Sequence, residues 1–427
     1  MRPEPMKSLL VAAAATLAPR SSSGRCSMCR GRRGATLGAR QIPMGGAMSL
    51  STYISARVRR VLAAGAIALV PLAVCAGSSH EAGAQAGPTV KAATVAGANG
   101  PMAFVRYAGR HEDDFSGQIV VRSPSGAVRQ LTHFKGGAFD PKWAPDGSRI
   151  AFDRWFAQQR LPDQVYTIKA DGTDVRPLAT GCTRAANCLG DGWPAYSPDG
   201  TQVAFVRAYT PLVKVGREQA PSAADLMLVP AAGGAPQVLR HFEGDPTPGE
   251  PAWSPDGTRL VFPLTTAKQP TKQTQFLDAL NVLDIASGAM TQITPLALGA
   301  SDPDWSPDGR LIVFNSQAGH SPFVYLVRPD GTGLLKISRK TRIYSRIKSD
   351  PRTGVHAQFQ PTWSPDGKAI AFAREARPCG GHHINSCTRS DREQPWNLWM
   401  MRPDGTHVRR LTSGSRFEAQ SNWGSSR

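Results

Sequence analysis

The sequence lacks most of the short motifs that announce chemistry. There is no Gly-x-Ser-x-Gly elbow; Gly319-His320-Ser321-Pro322-Phe323 lacks the closing glycine. No phosphate-binding glycine loop is present, nor any helix-turn-helix, zinc-finger or RNA-binding signature. These absences remove the usual sequence support for serine-hydrolase, nucleotide-dependent and nucleic-acid-directed functions. Long apolar runs are missing too. The stretch from Val61 to Ala76 is too short for a comfortable spanning helix. Cysteine is scarce, with four residues beyond position 86.

Charge is the exception to this scarcity, and its distribution matters. The formal net charge is +18. Residues 1–86 hold 11 basic and 2 acidic side chains, which leaves 39 and 30 for the rest and a net charge of +9. Such a surface favours acidic partners and solubility without specifying nucleic acid.

Residues 1–86 read as a presequence. The first 47 residues are rich in Arg, Ser and Gly and show no core-forming period. Met48 opens an export signal: Arg57, Arg59 and Arg60 form a basic region, Val61 to Ala76 the apolar region, and Ala84-Gln85-Ala86 an A-x-A cleavage site. Translation is expected to start near Met48 and the mature chain near Gly87. An uncleaved anchor is the alternative. Leu72-Ala73-Val74-Cys75 is a weak lipobox, with Val74 a poor fit, and Arg59-Arg60 a weak twin-arginine signal. The reading places the protein in the periplasm or outside the cell, with lipid anchoring at Cys75 as a minor variant.

The remaining cysteines fall in two close pairs, Cys182 with Cys188 and Cys379 with Cys387. In an oxidising compartment this spacing predicts two disulfides. The alternative for the second pair is a metal site with His382 and His383, whose spacing departs from the usual zinc patterns.

What the sequence has in abundance is one repeated phrase. Pro-x-Trp-Ser-Pro-Asp-Gly stands intact at Pro251–Gly257, Pro303–Gly309 and Pro361–Gly367. Near-copies occupy Pro141–Gly147 and Pro194–Gly200, and a truncated copy ends at Trp423-Gly424. The aromatic positions are 143, 196, 253, 305, 363 and 423, so the repeat measures 52 to 60 residues. A fixed period of this kind outranks local signals for fold. Within one unit, Ser306-Pro307-Asp308-Gly309 is a turn, Leu311–Phe314 a β-branched strand, Phe323–Val327 a third strand, Pro329-Asp330-Gly331-Thr332 another turn, and Leu334–Ser338 a fourth strand. Four short strands per unit, radially repeated, predict an all-β fold: a six-bladed β-propeller of four-stranded antiparallel blades. The last unit stops after its first strand and the first begins with a second strand. Ser421–Gly424 should therefore pair with Met102–Arg106 and close the ring.

The pattern Pro-x-Trp-Ser-Pro-Asp-Gly…Ile-Ala-Phe…Asp-Gly-Thr…Leu-Thr over residues 101–427 resembles the WD40-like (PD40) propeller of the TolB family, whose TolB is the periplasmic component of the Tol-Pal system. Related patterns occur in propellers of prolyl-oligopeptidase-type enzymes and oligogalacturonate lyases. One departure from TolB is that residues 87–100 form a short linker. This leaves no room between signal and propeller for the α/β domain that precedes the TolB propeller. The hydrolase domain that follows the propeller in oligopeptidases is also not seen before Arg427.

A meander places the short Ser-Pro-Asp-Gly and Asp-Gly-Thr turns on one face. The long second-to-third and fourth-to-first loops share the other: 153–163, 207–224, 265–275, 338–360 and 373–395. Variation concentrated on one face marks a candidate binding surface. The residue before each motif proline should enter the channel mouth there: Asp140, Trp193, Glu250, Asp302, Gln360 and Gln420. Carboxylates and amides converging in this way suit a cation or a cationic peptide end; capping of backbone donors between blades is the competing reading. Arg339, Lys340, Arg342, Arg346, Lys348 and Arg352 crowd one loop, which reads as a solvated charge run. His133, His241 and His356 are assigned to fourth-to-first loops. The lyase resemblance implies histidines and a glutamine holding a divalent metal, and Gln360 could complete such a set.

The expectation is a monomeric, exported propeller that binds an envelope or extracellular protein or peptide, without catalysis or cofactor. It is not expected to bind nucleic acid, nor to be an integral membrane protein after signal cleavage. The alternative is a metal-dependent carbohydrate-active enzyme of the lyase type. A third reading is an accessory ligand sensor.

Overall fold

A computed structural model of the chain describes residues 98–108, 116–156, 161–179, 181–215, 218–244, 246–268, 275–316, 323–338, 358–375 and 396–426. These residues form six antiparallel blades. Blade 1 takes Glu418–Ser425 as its inner strand, followed by Asn99–Arg106, Gln118–Arg122 and Val128–Gln130. Blades 2 to 6 begin at Gly137, Cys188, Thr247, Ala300 and Gln358. The closing register is Met102 opposite Trp423 and Val105 opposite Ala419, as the two half-blades require. Both half-blades gain the backbone partners that neither has alone.

Each blade buries one phenylalanine of its second strand completely: Phe104, Phe152, Phe205, Phe262, Phe314 and Phe372. Removing each from water contributes about 2 kcal/mol. The apolar core divides into clusters, each shared by two consecutive blades. Ala103 and Ile119 of blade 1 pack with Trp143, Ile150 and Phe152 of blade 2, for example. Val313 and Val324 of blade 5 pack with Trp363 and Phe372 of blade 6. The motif tryptophan therefore joins blades. Trp253 Nε1 donates to Ala195 O at 2.9 Å and Trp305 Nε1 to Ala252 O at 3.2 Å, each reaching the preceding blade.

The Ser-Pro-Asp-Gly turn is held by its own side chains. Asp256 Oδ1 accepts from Ser254 Oγ at 2.5 Å and from Thr258 N at 3.0 Å, while Ser254 Oγ accepts from Arg259 N. Ser197, Ser306 and Ser364 repeat the serine–aspartate bond. The first copy has Ala144 instead and keeps the aspartate bonds to Ser148. The turns also touch in sequence around the ring. A Cβ built on Gly257 would lie 3.7 Å from Pro198 Cδ, and one on Gly309 would lie 3.7 Å from Pro255 Cδ.

Two expected loops differ from the sequence reading. Strands Arg259–Lys268 and Gln275–Asp284 of blade 4 pair along their whole length, so residues 265–268 and 275 of the expected 265–275 loop are strand. In blade 3 the expected 207–224 loop contains an extra hairpin of Leu212–Val215 with Glu218–Pro221. Strand pairing satisfies backbone groups that a long open loop would leave to water.

Candidate functional site at the channel mouth

The position before the motif proline has a specific backbone state. Asp140, Trp193, Asp302, Gln360 and Gln420 all have φ between 49° and 57°. Each sits at a register shift in its inner strand, such as the one between Phe139 and Lys142. A bulge at a left-handed residue re-aims the side chain and bends the strand. Glu250 reaches the same level differently: the blade 4 inner strand breaks into Thr247–Pro248 and Ala252–Trp253 on either side of it.

Five of the six predicted positions line one small cavity that opens to solvent: Asp140, Glu250, Asp302, Gln360 and Gln420. Trp193 does not. It is 6% exposed and packs among Ala208, Phe242, Phe262 and Leu264 between blades 3 and 4. Its large apolar surface finds more contact there than in a polar channel. The shared bulge was readable from the motif; the direction taken by a side chain able to pack between blades was not.

The two amides are engaged by the scaffold. Gln360 Oε1 accepts from Gln420 N at 2.9 Å, and Gln420 Oε1 accepts from Asp140 N at 3.2 Å. Blade 6 thus caps blade 1, which caps blade 2. Second-strand residues do the same elsewhere: Asp153 Oδ1 accepts from Trp193 N, and Asn315 Oδ1 from Gln360 N. Interblade capping therefore accounts for the glutamine side-chain oxygens, while carboxylates supply the charge of the mouth.

Sequence reasoning missed three residues in this region, Lys142, Asp304 and Ser421. Lys142 and Asp304 occupy the variable position between motif proline and aromatic, where the other copies have Ala195, Ala252, Thr362 and Asn422. A charge at that position in two copies was the available signal. Lys142 Nζ lies 2.5 Å from Glu250 Oε1. Asp304 Oδ2 accepts from Thr362 Oγ1 at 2.9 Å and Trp363 N at 2.7 Å, tying blade 5 to blade 6. Lys142 and Ser421 line the cavity with the five predicted residues.

The electrostatics follow from burial and crowding. Burial pushes the Asp302 carboxyl up to about 8, and the charges of Glu250 and Asp140 push it the same way. Burial also raises Asp304, against the pull of Lys142 and its two hydrogen bonds. Asp153 is raised by burial and then by Asp140 and Asp163. Burial alone would lower the Lys142 ammonium, but Glu250, Asp304 and Asp140 together outweigh it and raise the group above its ordinary value. The mouth is thus a carboxyl-rich cavity with one lysine in its wall. Its polar atoms suit an ammonium group or a cation.

The described histidines lie elsewhere. His133 is exposed, with Nδ1 3.2 Å from Gln130 Nε2. His241 is in the outer strand Gln237–Glu243 of blade 3, not in a fourth-to-first loop as expected, because its backbone pairs with Asp225. Its Nδ1 is 2.6 Å from Asp225 Oδ1. Neither lines the cavity. His356, the Cys379/Cys387 pair with His382 and His383, and the basic loop from Arg339 to Arg352 lie outside the described residues. Cys182 and Cys188 are joined by a disulfide, with Cα atoms 5.1 Å apart. Asp191 is close to both sulfurs, but its carboxylate is chelated by Arg207 through Nε at 2.7 Å and Nη2 at 2.8 Å. Among the described residues no helix is long and apolar enough to cross a membrane.

Comparison with known proteins agrees with this architecture. Residues 194–375 match the family model described as the TolB beta propeller domain. A protein TolB homolog from Chlorobium luteolum is 32% identical over 122 residues, covering 29% of this chain and 22% of the relative. The uncharacterized peptidase YuxL of Bacillus subtilis is 23% identical over 230 residues, covering 49% of this chain and 31% of the relative. The chain therefore spans less than a third of the length of either of these two relatives. The crystal structure of TolB from Acinetobacter baumannii superposes with a TM-score of 0.53 at 15% identity, covering 76% of this chain and 66% of that one; the likeness is one of fold. With its repeated turn phrase, its six four-stranded blades and its C-terminal closing strand, the chain is a TolB-like six-bladed β-propeller.

Proposed function

We propose that the protein is an exported, non-catalytic module of the cell envelope that binds a protein or peptide through the channel mouth. The observation that carries this reading is convergence. Blades 1, 2, 4, 5 and 6 each send a polar side chain from the same repeat position into one cavity, and these side chains differ while the turns around them repeat. A rigid scaffold with variable residues at one opening is the arrangement of a binding site. The excess of carboxyl groups favours a partner segment with a positive end. Export rests on the basic, apolar and A-x-A pattern between Met48 and Ala86.

The test is capture by crosslinking from envelope extracts, with the partner identified by mass spectrometry. The Asp140→Asn/Glu250→Gln double variant should lose the captured partner while its circular dichroism stays unchanged. Equal capture by wild type and a folded double variant would remove the channel mouth from consideration.

A further inference from the structure

Lys142 belongs to blade 2 and Glu250 to blade 4, which are not neighbours in the ring. Their 2.5 Å contact therefore reaches across blade 3. Asp304 of blade 5 and Asp140 of blade 2 also act on the Lys142 ammonium. The pair is not sealed in: the Lys142 side chain is 19% exposed and that of Glu250 13% exposed. Beside it, Ser421 lines the cavity, is 5% exposed, and its Oγ is buried with no hydrogen-bond partner. A buried hydroxyl without a partner calls for a further polar group at that spot. The mouth thus has carboxylates on several blades, an unused hydroxyl, and the chain's own lysine in the place an incoming cation would take.

We propose that Lys142 is a resident cation, displaced by a primary ammonium group of the partner, so that binding exchanges one ammonium for another. The inference rests on the channel mouth being the binding site. The exchange leaves the charge of the mouth unchanged, so the partner meets carboxylates already balanced for one cation. The incoming ammonium takes over both the burial cost and the attraction to Glu250, Asp304 and Asp140, and Lys142 returns to water. Lys142 also regains side-chain freedom. Selection follows from the same geometry. A segment with a neutral or acidic end cannot replace the lysine and would leave Glu250 and Lys142 paired. A lysine side chain or an unblocked amino terminus can replace it.

The experiment uses the full chain and a fluorescent lysine-containing peptide, with its fully acetylated twin as control. Lys142→Met should bind the lysine peptide about tenfold more tightly than wild type, with no gain for the acetylated twin. Equal or weaker binding of the lysine peptide by Lys142→Met overturns the exchange. Because Lys142→Met leaves buried carboxylates facing one another, a wild-type measurement stands beside it. Trace acetylation of Lys142, read by peptide mass spectrometry, should rise several-fold when the lysine peptide is added. Unchanged or reduced labelling overturns the proposal. The site and the exchange fail separately: envelope capture lost in Asp140→Asn/Glu250→Gln, with Lys142 labelling unchanged, keeps the site and discards the exchange. Capture unaffected in that double variant discards both.

Discussion

Glu418 Oε1 accepts two hydrogen bonds from Arg106, 2.9 Å from Nε and 2.7 Å from Nη2, joining residues 312 apart in the chain. The pair clasps the last strand to the first, directly opposite in register. Glu418 is almost fully buried and its Oε2 has no hydrogen-bond partner, so Arg106 is its main compensation. Removing one member of a buried pair strands the other charge. Arg106→Ala is expected to destabilise the propeller by about 3 kcal/mol, read from denaturant midpoints. Arg106→Lys should recover only part of the loss, because an ammonium cannot reproduce the guanidinium fork. An unchanged midpoint in Arg106→Ala would show that the seam is held by backbone pairing alone.

Two glycines with similar backbone angles should respond very differently to alanine. Gly405 (φ 76°) closes the third-to-fourth turn of blade 6, and a Cβ there would collide with the Ile337 carbonyl oxygen of blade 5. Gly288 (φ 69°) has nothing within 4 Å of the same position. Gly288→Ala is expected to cost about 1 kcal/mol from left-handed strain. Gly405→Ala adds displacement of a neighbouring blade and should cost at least about 3 kcal/mol. Equal thermal shifts in the two variants would mean that the turn does not bear on its neighbour.

Asp302 makes stability fall as the solution becomes alkaline. Its carboxyl is pushed up to about 8 from an ordinary 3.8, first by burial and then by Glu250 and Asp140. Between those values the folded protein holds a proton that the unfolded chain has released. Its contribution is full below the unfolded value and is lost as the pH rises through the folded one. Wild type should therefore lose stability between about pH 4 and about pH 8, and Asp302→Asn should lose less over the same range. Parallel denaturation profiles for the two proteins would rule out Asp302 as the titrating group.

The Cys182–Cys188 disulfide closes a short loop beside the Asp191–Arg207 ion pair. With a sequence separation of 6, loop entropy assigns it about 2 kcal/mol. The Cys182→Ser/Cys188→Ser variant should unfold at a lower denaturant midpoint by that amount while retaining its sheet signature. Mass mapping without reductant should recover the linked peptide, and free thiols at both positions would contradict the structure.

The turn phrase was legible because its bonds are local. Ser254, Asp256, Thr258 and Arg259 satisfy one another within five residues, so no distant element is needed to form the turn. The ring closure was legible for a related reason: half a blade at each end leaves a backbone deficit that the other end can fill. The positions at the mouth could be named because a fixed offset from a repeated proline puts each at an equivalent point of its blade.

What those positions do was settled by distance in space. Trp193 shares its backbone state with Asp140 yet packs between blades, because Phe242 and Phe262 offer it an apolar partner surface. Gln360 and Gln420 pass their oxygens to the next blade's backbone, which depends on how closely the inner strands approach. Lys142 and Glu250 are separated in sequence by two turns of the repeat, and nothing local relates them. They meet because six blades close into a ring whose opening a lysine side chain can reach into, and because carboxyl groups buried at that opening attract the nearest cation.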